Sequence, residues 1–195
     1  MRLTTWVVFA ASIALGGCAS THQLDNDVST FSQWPAGRKP ATYVFERLPS
    51  QQARPEQQQQ LEDAARAALE AAGFAAAPEG QDADVVIQVG ARTSATEREL
   101  YDDPFWWRGG LYTGWRRSRF TTGLGVHYTA PIYEREVALL IRDRKTTQVL
   151  YEARASNSAS SAASTAVLSA MFEAAMKDFP HVGVNPRRIT VTVAQ

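Results

Sequence analysis

Two neighbouring stretches decide the fold: IYEREVALLIRD at residues 132–143 and QVLYEARA at residues 148–155. In both, apolar and polar residues alternate, as they do in β-strands that bury one face. The apolar residues that share a face are Val137, Leu139 and Ile141 in the first stretch and Val149, Tyr151, Ala153 and Ala155 in the second. The polar residues 144–147 suit a turn between them. Together these stretches predict an antiparallel hairpin.

Further strands and helices are predicted on both sides of this hairpin. They are strand 41–46, helix 55–72 and strand 84–90 before it, and helix 162–177 and strand 189–193 after it. Pro55 suits the first turn of its helix, and Gly73 suits a left-handed C-terminal cap. Pro180 ends the second helix. The helices are thus separated by strands along the whole chain.

This order predicts an α+β fold, namely a two-layer α/β sandwich. We expect a mixed, mainly antiparallel sheet with two helices packed on one face and a long insert rich in aromatic residues and arginine. Residues 41–195 are expected to form this single α/β domain. Strand 84–90 is almost continuously apolar, which indicates a strand covered on both faces. Glutamines 57–60 are expected on a solvated helical face. The Ser/Ala-rich residues 156–165 are either a flexible crossing or a helix start with a serine cap.

The composition bounds the class of protein. The chain has 195 residues, of which 45% are hydrophobic and 21% charged, as in ordinary globular proteins. Twenty basic and twenty acidic residues leave a formal net charge of zero, which argues against nucleic acid as a partner. The one cysteine, Cys18, excludes an intramolecular disulfide.

The N-terminus has the pattern of an export signal. Arg2 precedes an apolar run at residues 6–15, and Gly16 and Gly17 lead into Cys18. A ten-residue helix rises about 15 Å, which is half of a hydrocarbon core of about 30 Å, so it does not span a membrane. An ordinary secretory signal with a chance cysteine is the alternative.

The tetrad Leu15-Gly16-Gly17-Cys18 resembles the lipobox of bacterial lipoproteins. The resemblance implies a signal peptide at 1–17, cleavage before Cys18, diacylglycerol on its thiol and acylation of the new amino group. Ala19 after the cysteine implies transport to the outer membrane, with the domain on the periplasmic side. Residues 18–40 are then expected to be the lipidated N-terminus and a tether. Residues 21–40 are polar and aperiodic, and we expect Phe31 and Trp34 to contact the domain.

A set of short phrases resembles the bacterial lipoprotein family of domain of unknown function 4136. The phrases are Tyr43-Val44-Phe45, Leu69 to Gly73-Phe74, Ala83-Asp84-Val85, Asp143 at the hairpin turn, Leu150-Tyr151-Glu152 and Phe179-Pro180. They cover about residues 41–180. The resemblance implies an envelope lipoprotein with an α/β domain, and it implies no catalytic residue, cofactor or ligand.

The candidate binding surface is the insert at residues 100–131. Its candidate residues are Trp106, Trp107, Arg108, Tyr112, Trp115, Arg116, Arg117 and Arg119. Trp and Tyr stack on sugars and suit membrane interfaces, and arginine recognises phosphate and carboxylate. One interpretation is a binding loop for a glycan, a lipid headgroup or a partner protein. The other is a long hairpin whose aromatic residues fold back over the open sheet face and complete the core.

Motifs for catalysis or metal binding are weak. The three histidines lack metal-ligand spacing, and no Gly-x-Ser-x-Gly motif occurs. Glu134 and Glu136 share one face of a strand, but a solvated face explains them better than a catalytic pair. We therefore expect a non-catalytic protein without cofactor or metal. The alternatives are a cell-envelope hydrolase that uses His127, and a purely structural envelope protein.

Overall fold

The structure is a computed structural model that describes residues 21–78, 80–96 and 132–194. Within these ranges the chain forms seven strands and three helices. The strands are β1 Thr21–Ser32, β2 Thr42–Phe45, β3 Ala75–Ala76, β4 Val85–Thr96, β5 Ile132–Asp143, β6 Val149–Ala159 and β7 Arg187–Ala194. The helices are α1 Pro49–Gln52, α2 Pro55–Ala71 and α3 Thr165–Met176.

The described strands form one open sheet in the order β3-β2-β4-β5-β6-β1-β7. β2 runs parallel to β3 and β4, and every other neighbouring pair is antiparallel. The predicted α+β class with a mixed, mainly antiparallel sheet is therefore confirmed. The insert of that prediction lies outside the described residues.

The core lies between one face of the sheet and helices α2 and α3. Along β5 and β6, Val137, Leu139, Ile141, Tyr151 and Ala153 are at most 1% exposed, as the hairpin pattern predicts. Helix α3 meets them with its own buried residues, which are Ala170, Met171, Phe172, Ala174, Ala175 and Met176. The predicted face is wrong for Val149, which is half-buried, while Leu150 is buried in its place, because a bulge opposite Ile141 and Arg142 breaks the alternation.

Strand β4 corrects one expectation. Its residues Val85, Ile87 and Val89 are buried, whereas Val86 between them is half-buried. The strand is therefore covered by helices on one face, not on both. The continuous apolar run reflects strand propensity in addition to burial.

Strand β1 contradicts a second expectation, that of a tether at the N-terminus. The tether predicted at residues 18–40 is wrong for Thr21–Ser32, which lies inside the sheet between β6 and β7. Its inward residues Leu24, Asn26, Val28 and Thr30 are buried. The strand pairs on both sides, so the sheet satisfies its backbone hydrogen bonds despite its polar sequence.

The segment after β1 packs on the core through Trp34, as predicted. The Trp34 ring stands edge-on to Phe179 at 4.9 Å and to Phe74 at 5.7 Å between ring centroids. The Trp34 indole N–H donates to the carbonyl of Arg38 at 2.9 Å, which satisfies its polar end. Phe31, in contrast, is 47% exposed.

The helix ends follow from local sequence. Helix α2 closes on Gly73, whose φ of 93° is a left-handed conformation that favours glycine. Helix α3 begins after Ser164, whose Oγ accepts from the Val167 amide at 3.3 Å. Residues 156–165 are thus the end of β6 followed by a serine-capped helix start.

The ends of four strands lie together at one end of the sheet. The antiparallel pairing places the start of β1, the end of β4, the start of β5 and the end of β6 at this end. Thr96 and Ile132 are directly opposite each other there. No helix within the described ranges is long and apolar enough to cross a bilayer.

Candidate functional site

The residues predicted to form the binding surface cannot be placed. Cys18 and the eight candidate residues of the insert (Trp106, Trp107, Arg108, Tyr112, Trp115, Arg116, Arg117 and Arg119) lie outside the described residues, as does His127. Glu134 and Glu136 are described. Glu134 is exposed, and Glu136 pairs with Arg92 at 3.1 Å on the solvated face, as expected.

A cleft of about 590 Å³ opens on the helix-covered side of the sheet. It lies between the first turns of α2 and α3 and the second half of β4. Its lining residues are Ser50, Gln51, Arg54, Gln57, Gln58, Gln60, Leu61, Gly90, Ala91, Thr93, Ala163, Thr165 and Leu168. No carboxylate belongs to this lining, and the positive ends of two helix dipoles face it. The cleft therefore favours negative over positive charge.

The wall formed by α1 and α2 is fixed by glutamine amides. Gln51 Nε2 donates to the Val89 carbonyl at 2.8 Å, and Gln58 Nε2 lies 3.4 Å from the same oxygen. Gln58 is only 5% exposed, so the expectation that residues 57–60 form a solvated face is wrong for this residue. Its phase on the helix, one turn before the buried Glu62, turns it inward.

Glu62, beside this wall, is held by Arg47. Arg47 Nε donates to Oε1 at 2.6 Å and Nη2 to Oε2 at 2.7 Å, so both carboxylate oxygens accept from one guanidinium. The hydrogen bond to Glu62 raises the pKa of Arg47. Glu62 is 3% exposed, and this pairing satisfies its buried charge.

The most unusual charged residue of the described ranges is Arg135 on β5. Its side chain lies on the helix-covered side, and the residue is 3% exposed. The Nη2 group donates to the carbonyl oxygen of Ser161 and, at 3.1 Å, to its Oγ. Among the described residues no carboxylate lies within 4.0 Å of the guanidinium, whose pKa is lowered by burial. A buried arginine without an anionic partner is rare, because the charge loses its hydration uncompensated.

Two neighbours of Arg135 lie in the cleft lining or close to it in the sequence. Thr93, which lines the cleft, is its direct neighbour on β4. Such opposite residues have Cβ atoms about 5 Å apart. Ser161, which accepts from Arg135, lies two residues before Ala163 of the cleft lining. Arg135 itself is not among the residues that line the cleft.

A row of unsatisfied polar atoms continues from Arg135 across the sheet. Asn157 is its neighbour on β6, and Asn26 occupies the next position across on β1. The buried atoms Arg135 Nε, Asn157 Oδ1 and Asn26 Oδ1 have no hydrogen-bond partner. A buried polar atom of this kind costs about 1–3 kcal/mol unless water or another group satisfies it.

The alternation in β5 already indicates an inward-facing Arg135. Arg135 is in phase with Val137, Leu139 and Ile141, so the alternation itself places it on the buried face. For Gln58 the sequence gives a weaker indication of burial. It lies four residues before Glu62 and therefore on the same face of the helix. The described residues contain no group of His, Cys, Asp and Glu side chains suited to hold a metal ion.

Comparison with known proteins defines the family. Residues 27–181 match the family described as Domain of unknown function (DUF4136). The chain belongs to this family. The family membership indicated by the short sequence phrases is thereby confirmed. No protein of curated function matches the chain significantly.

The solved structures similar to this DUF4136 chain include two that differ in how much of their own length is matched. A PDZ domain protein from Parabacteroides distasonis ATCC 8503 has 13% identity and a TM-score of 0.55, over 97% of this chain and 43% of that protein. The chain thus spans less than half of that protein, and the likeness shows the fold alone. PelC from Paraburkholderia phytofirmans, a dodecamer, has 16% identity and a TM-score of 0.38, over 77% of this chain and 94% of its own.

Proposed function

We propose that this DUF4136 protein is a non-catalytic outer-membrane lipoprotein that faces the periplasm and binds an envelope component or partner protein through the insert at 100–131. Lipid on Cys18 is its anchor. The observation that carries the proposal is the start of β1 at Thr21, only three residues after Cys18.

This short spacing supports a position of the domain at the membrane surface. Three residues span at most about 11 Å, so a lipid on Cys18 holds the start of β1 against the membrane surface. An anchor followed by a flexible tether would let the domain sample many orientations. An anchor attached directly to a sheet strand instead directs one end of the sheet toward the bilayer.

The insert is attached at the same end. Its flanking residues Thr96 and Ile132 are paired across β4 and β5, and β1 lies two strands away from β5. With about 4.8 Å between strands, the lateral separation is about 10 Å. The Trp- and Arg-rich segment thus joins the domain near the lipid anchor. Tryptophan and arginine suit contacts with headgroups and with proteins at a membrane interface, which supports a binding role there.

Photo-crosslinking in cells tests this function. A photoreactive residue is placed at Trp107 or Trp115, and a matched control is placed at Lys145 in the turn at the opposite end of the sheet. We expect specific adducts from the two insert positions and none from Lys145. The absence of any adduct from the insert, or equal adducts from all three positions, would contradict the proposal.

Fractionation of the Cys18→Ala variant tests the anchor separately. We expect this variant to be lost from the outer membrane and to keep an uncleaved or differently cleaved N-terminus. A variant that stays in the outer membrane at unchanged mature size would show that Cys18 carries no lipid.

A further inference from the structure

We infer that the first half of β1 and most of β7 form a two-stranded arm, which opens from the rest of the domain and closes again as one unit. The arm consists of residues 21–26 of β1 and residues 189–194 of β7. This inference goes beyond the proposed function, because the opening of the arm depends neither on the insert nor on lipid at Cys18.

The strand pairing separates this arm from the rest of the sheet. Residues 27–32 of β1 pair with β6, whereas residues 21–28 pair with β7. Among the described strands, residues 21–26 therefore have β7 as their only partner, and β7 has only β1. Strand β6 meanwhile continues to Ala159 in its pairing with β5. The sheet thus divides between β6 and β1, and a two-stranded ribbon alone is at best marginally stable in water.

Side chains rather than a backbone ladder join the arm to β6. Asn157 Nδ2 donates to the Asp25 carbonyl at 2.6 Å. Asn26, the next residue of β1, is fully buried, and its Oδ1 accepts no hydrogen bond from the described residues. Separation of the arm from β6 therefore breaks side-chain contacts, whereas separation of β5 from β6 would break a long backbone ladder.

The opposite ends of both strands are fixed, which makes that end the hinge. The Thr30 amide donates to Asn185 Oδ1 at 2.8 Å, and Asn185 Nδ2 donates to the Thr30 carbonyl at 2.6 Å. At the start of β7, Arg187 Nε donates to Asp178 Oδ2 at 2.9 Å. These contacts hold β1 and β7 to the segment that follows α3. The arm is therefore free to move only at the end where β1 starts.

The underside of the arm packs against α3 less completely than the central strands do. Its apolar residues Leu24, Val191 and Val193 are 9%, 6% and 8% exposed, whereas Val137 and Ile141 of β5 are fully buried. A cavity of about 600 Å³ beside α2 and α3 extends to Val193 at the free end. Weakly packed strands of this kind open locally without unfolding of the whole domain.

Opening of the arm changes how the N-terminus is attached to the domain. The chain continues from Thr21, at the free end of the arm, to Cys18 three residues away. A lipid on Cys18 would therefore be joined to the domain through this hinge. That consequence alone rests on the proposed function, whereas the arm itself does not.

Hydrogen–deuterium exchange of the full chain tests the arm. We expect the hydrogen-bonded amides of residues 21–26 and 189–194 to share one protection factor, at least about 100-fold below that of residues 137–141 in β5. Protection of residues 21–26 equal to that of β5 would overturn the inference. Protection of the two strands that differs by more than about tenfold would overturn it as well, because the strands would then open separately.

Two substitutions in the core make the test specific. Val191→Ala removes buried methyl groups beneath the arm, so we expect protection to fall by about tenfold in β7 and equally in residues 21–26 of β1. Ile141→Val lies outside the arm and should lower the protection of β5 severalfold, while that of the arm stays unchanged. A fall confined to β7 in Val191→Ala, or a fall within the arm in Ile141→Val, would overturn the inference.

Thr192→Ala is the matched control. Thr192 lies on β7 beside Val191, but its side chain is exposed on the solvated face. We expect this variant to exchange like the wild type in both strands of the arm. A fall as large as that in Val191→Ala would show that packing against α3 does not hold the arm closed, and would overturn the inference.

Discussion

Arg38 Nη1 donates to Asp143 Oδ2 at 2.9 Å, and this ion pair ties the segment after β1 to the turn between β5 and β6. The other oxygen, Asp143 Oδ1, accepts from the amides of Lys145 at 3.0 Å and Thr146 at 2.9 Å. Asp143 is the hairpin-turn residue among the sequence phrases that resemble the DUF4136 family. Its carboxylate closes the turn and also fixes the chain that leads from β1 to β2.

The pH dependence of stability should report this arrangement. The hydrogen bond from the Thr146 amide has the largest effect on Asp143 and the hydrogen bond from Arg38 the next largest. Together they lower the pKa of Asp143 from 3.8 to about 2. A carboxyl group whose pKa is lower in the folded than in the unfolded protein stabilises the fold above pH 4. This stabilisation is lost as the pH falls toward 2. We expect Asp143→Asn to lower the free energy of unfolding by about 2 kcal/mol at pH 7, and the two proteins to converge near pH 2. Denaturant unfolding from pH 2 to 7 measures this.

Asp82→Asn is the control for that experiment. Asp82 pairs with Arg144 at 3.2 Å, but its side chain is 96% exposed. Such exposed pairs contribute little, so we expect its unfolding curve to follow the wild type at every pH. An equal pH dependence in Asp143→Asn and wild type would show that the Asp143 contacts do not stabilise the fold.

Strand β1 should contribute to stability as a core element. Val28 is 1% exposed and packs beneath α3. Val28→Ala should destabilise the domain by about 2 kcal/mol, since it removes two buried methyl groups and leaves a cavity. Ser29→Ala, on the solvated face of the same strand, should change the stability by less than about 0.5 kcal/mol. If the two variants unfold alike, residues 21–32 are a tether after all.

The Arg47–Glu62 pair should show strong coupling. Arg47→Met leaves the buried Glu62 carboxylate with Gln58 Nε2 at 3.3 Å as its remaining described partner. We expect a loss of about 2–4 kcal/mol from this substitution. The double variant Arg47→Met with Glu62→Met should recover most of it, because no unpaired charge remains. A double-mutant cycle by urea unfolding measures the coupling, and purely additive losses would contradict it.

The elements with local sequence patterns could be predicted well. The alternation over β5 gave its bounds of Ile132–Asp143, and Pro55 and Gly73 marked helix α2 to within one residue. The fold class followed from the order of these elements. In each case one face of the element is buried. The apolar residues on that face repeat with the period of the helix or strand, so the sequence alone shows the pattern.

Strand β1 could not be predicted in the same way, because its stability is non-local. Its inward positions include Asn26 and Thr30, and its outward positions are polar, so the alternation is weak. Its partners β6 and β7 lie far away in the sequence. Arg135 was missed for a related reason. Charged residues in strands usually face solvent, and this general rule opposes what the phase of Arg135 with Val137, Leu139 and Ile141 indicates.

The orientation of the domain on the membrane tests the central claim most directly. Fluorophores are attached at Ser158→Cys and Lys145→Cys in lipidated protein on vesicles with acceptor-labelled headgroups. Ser158 lies near the start of β1, and Lys145 lies at the opposite end of β6, about 30 Å away along the strand. The account predicts strong energy transfer from Ser158 and weak transfer from Lys145. Equal transfer from both positions, or stronger transfer from Lys145, would contradict it.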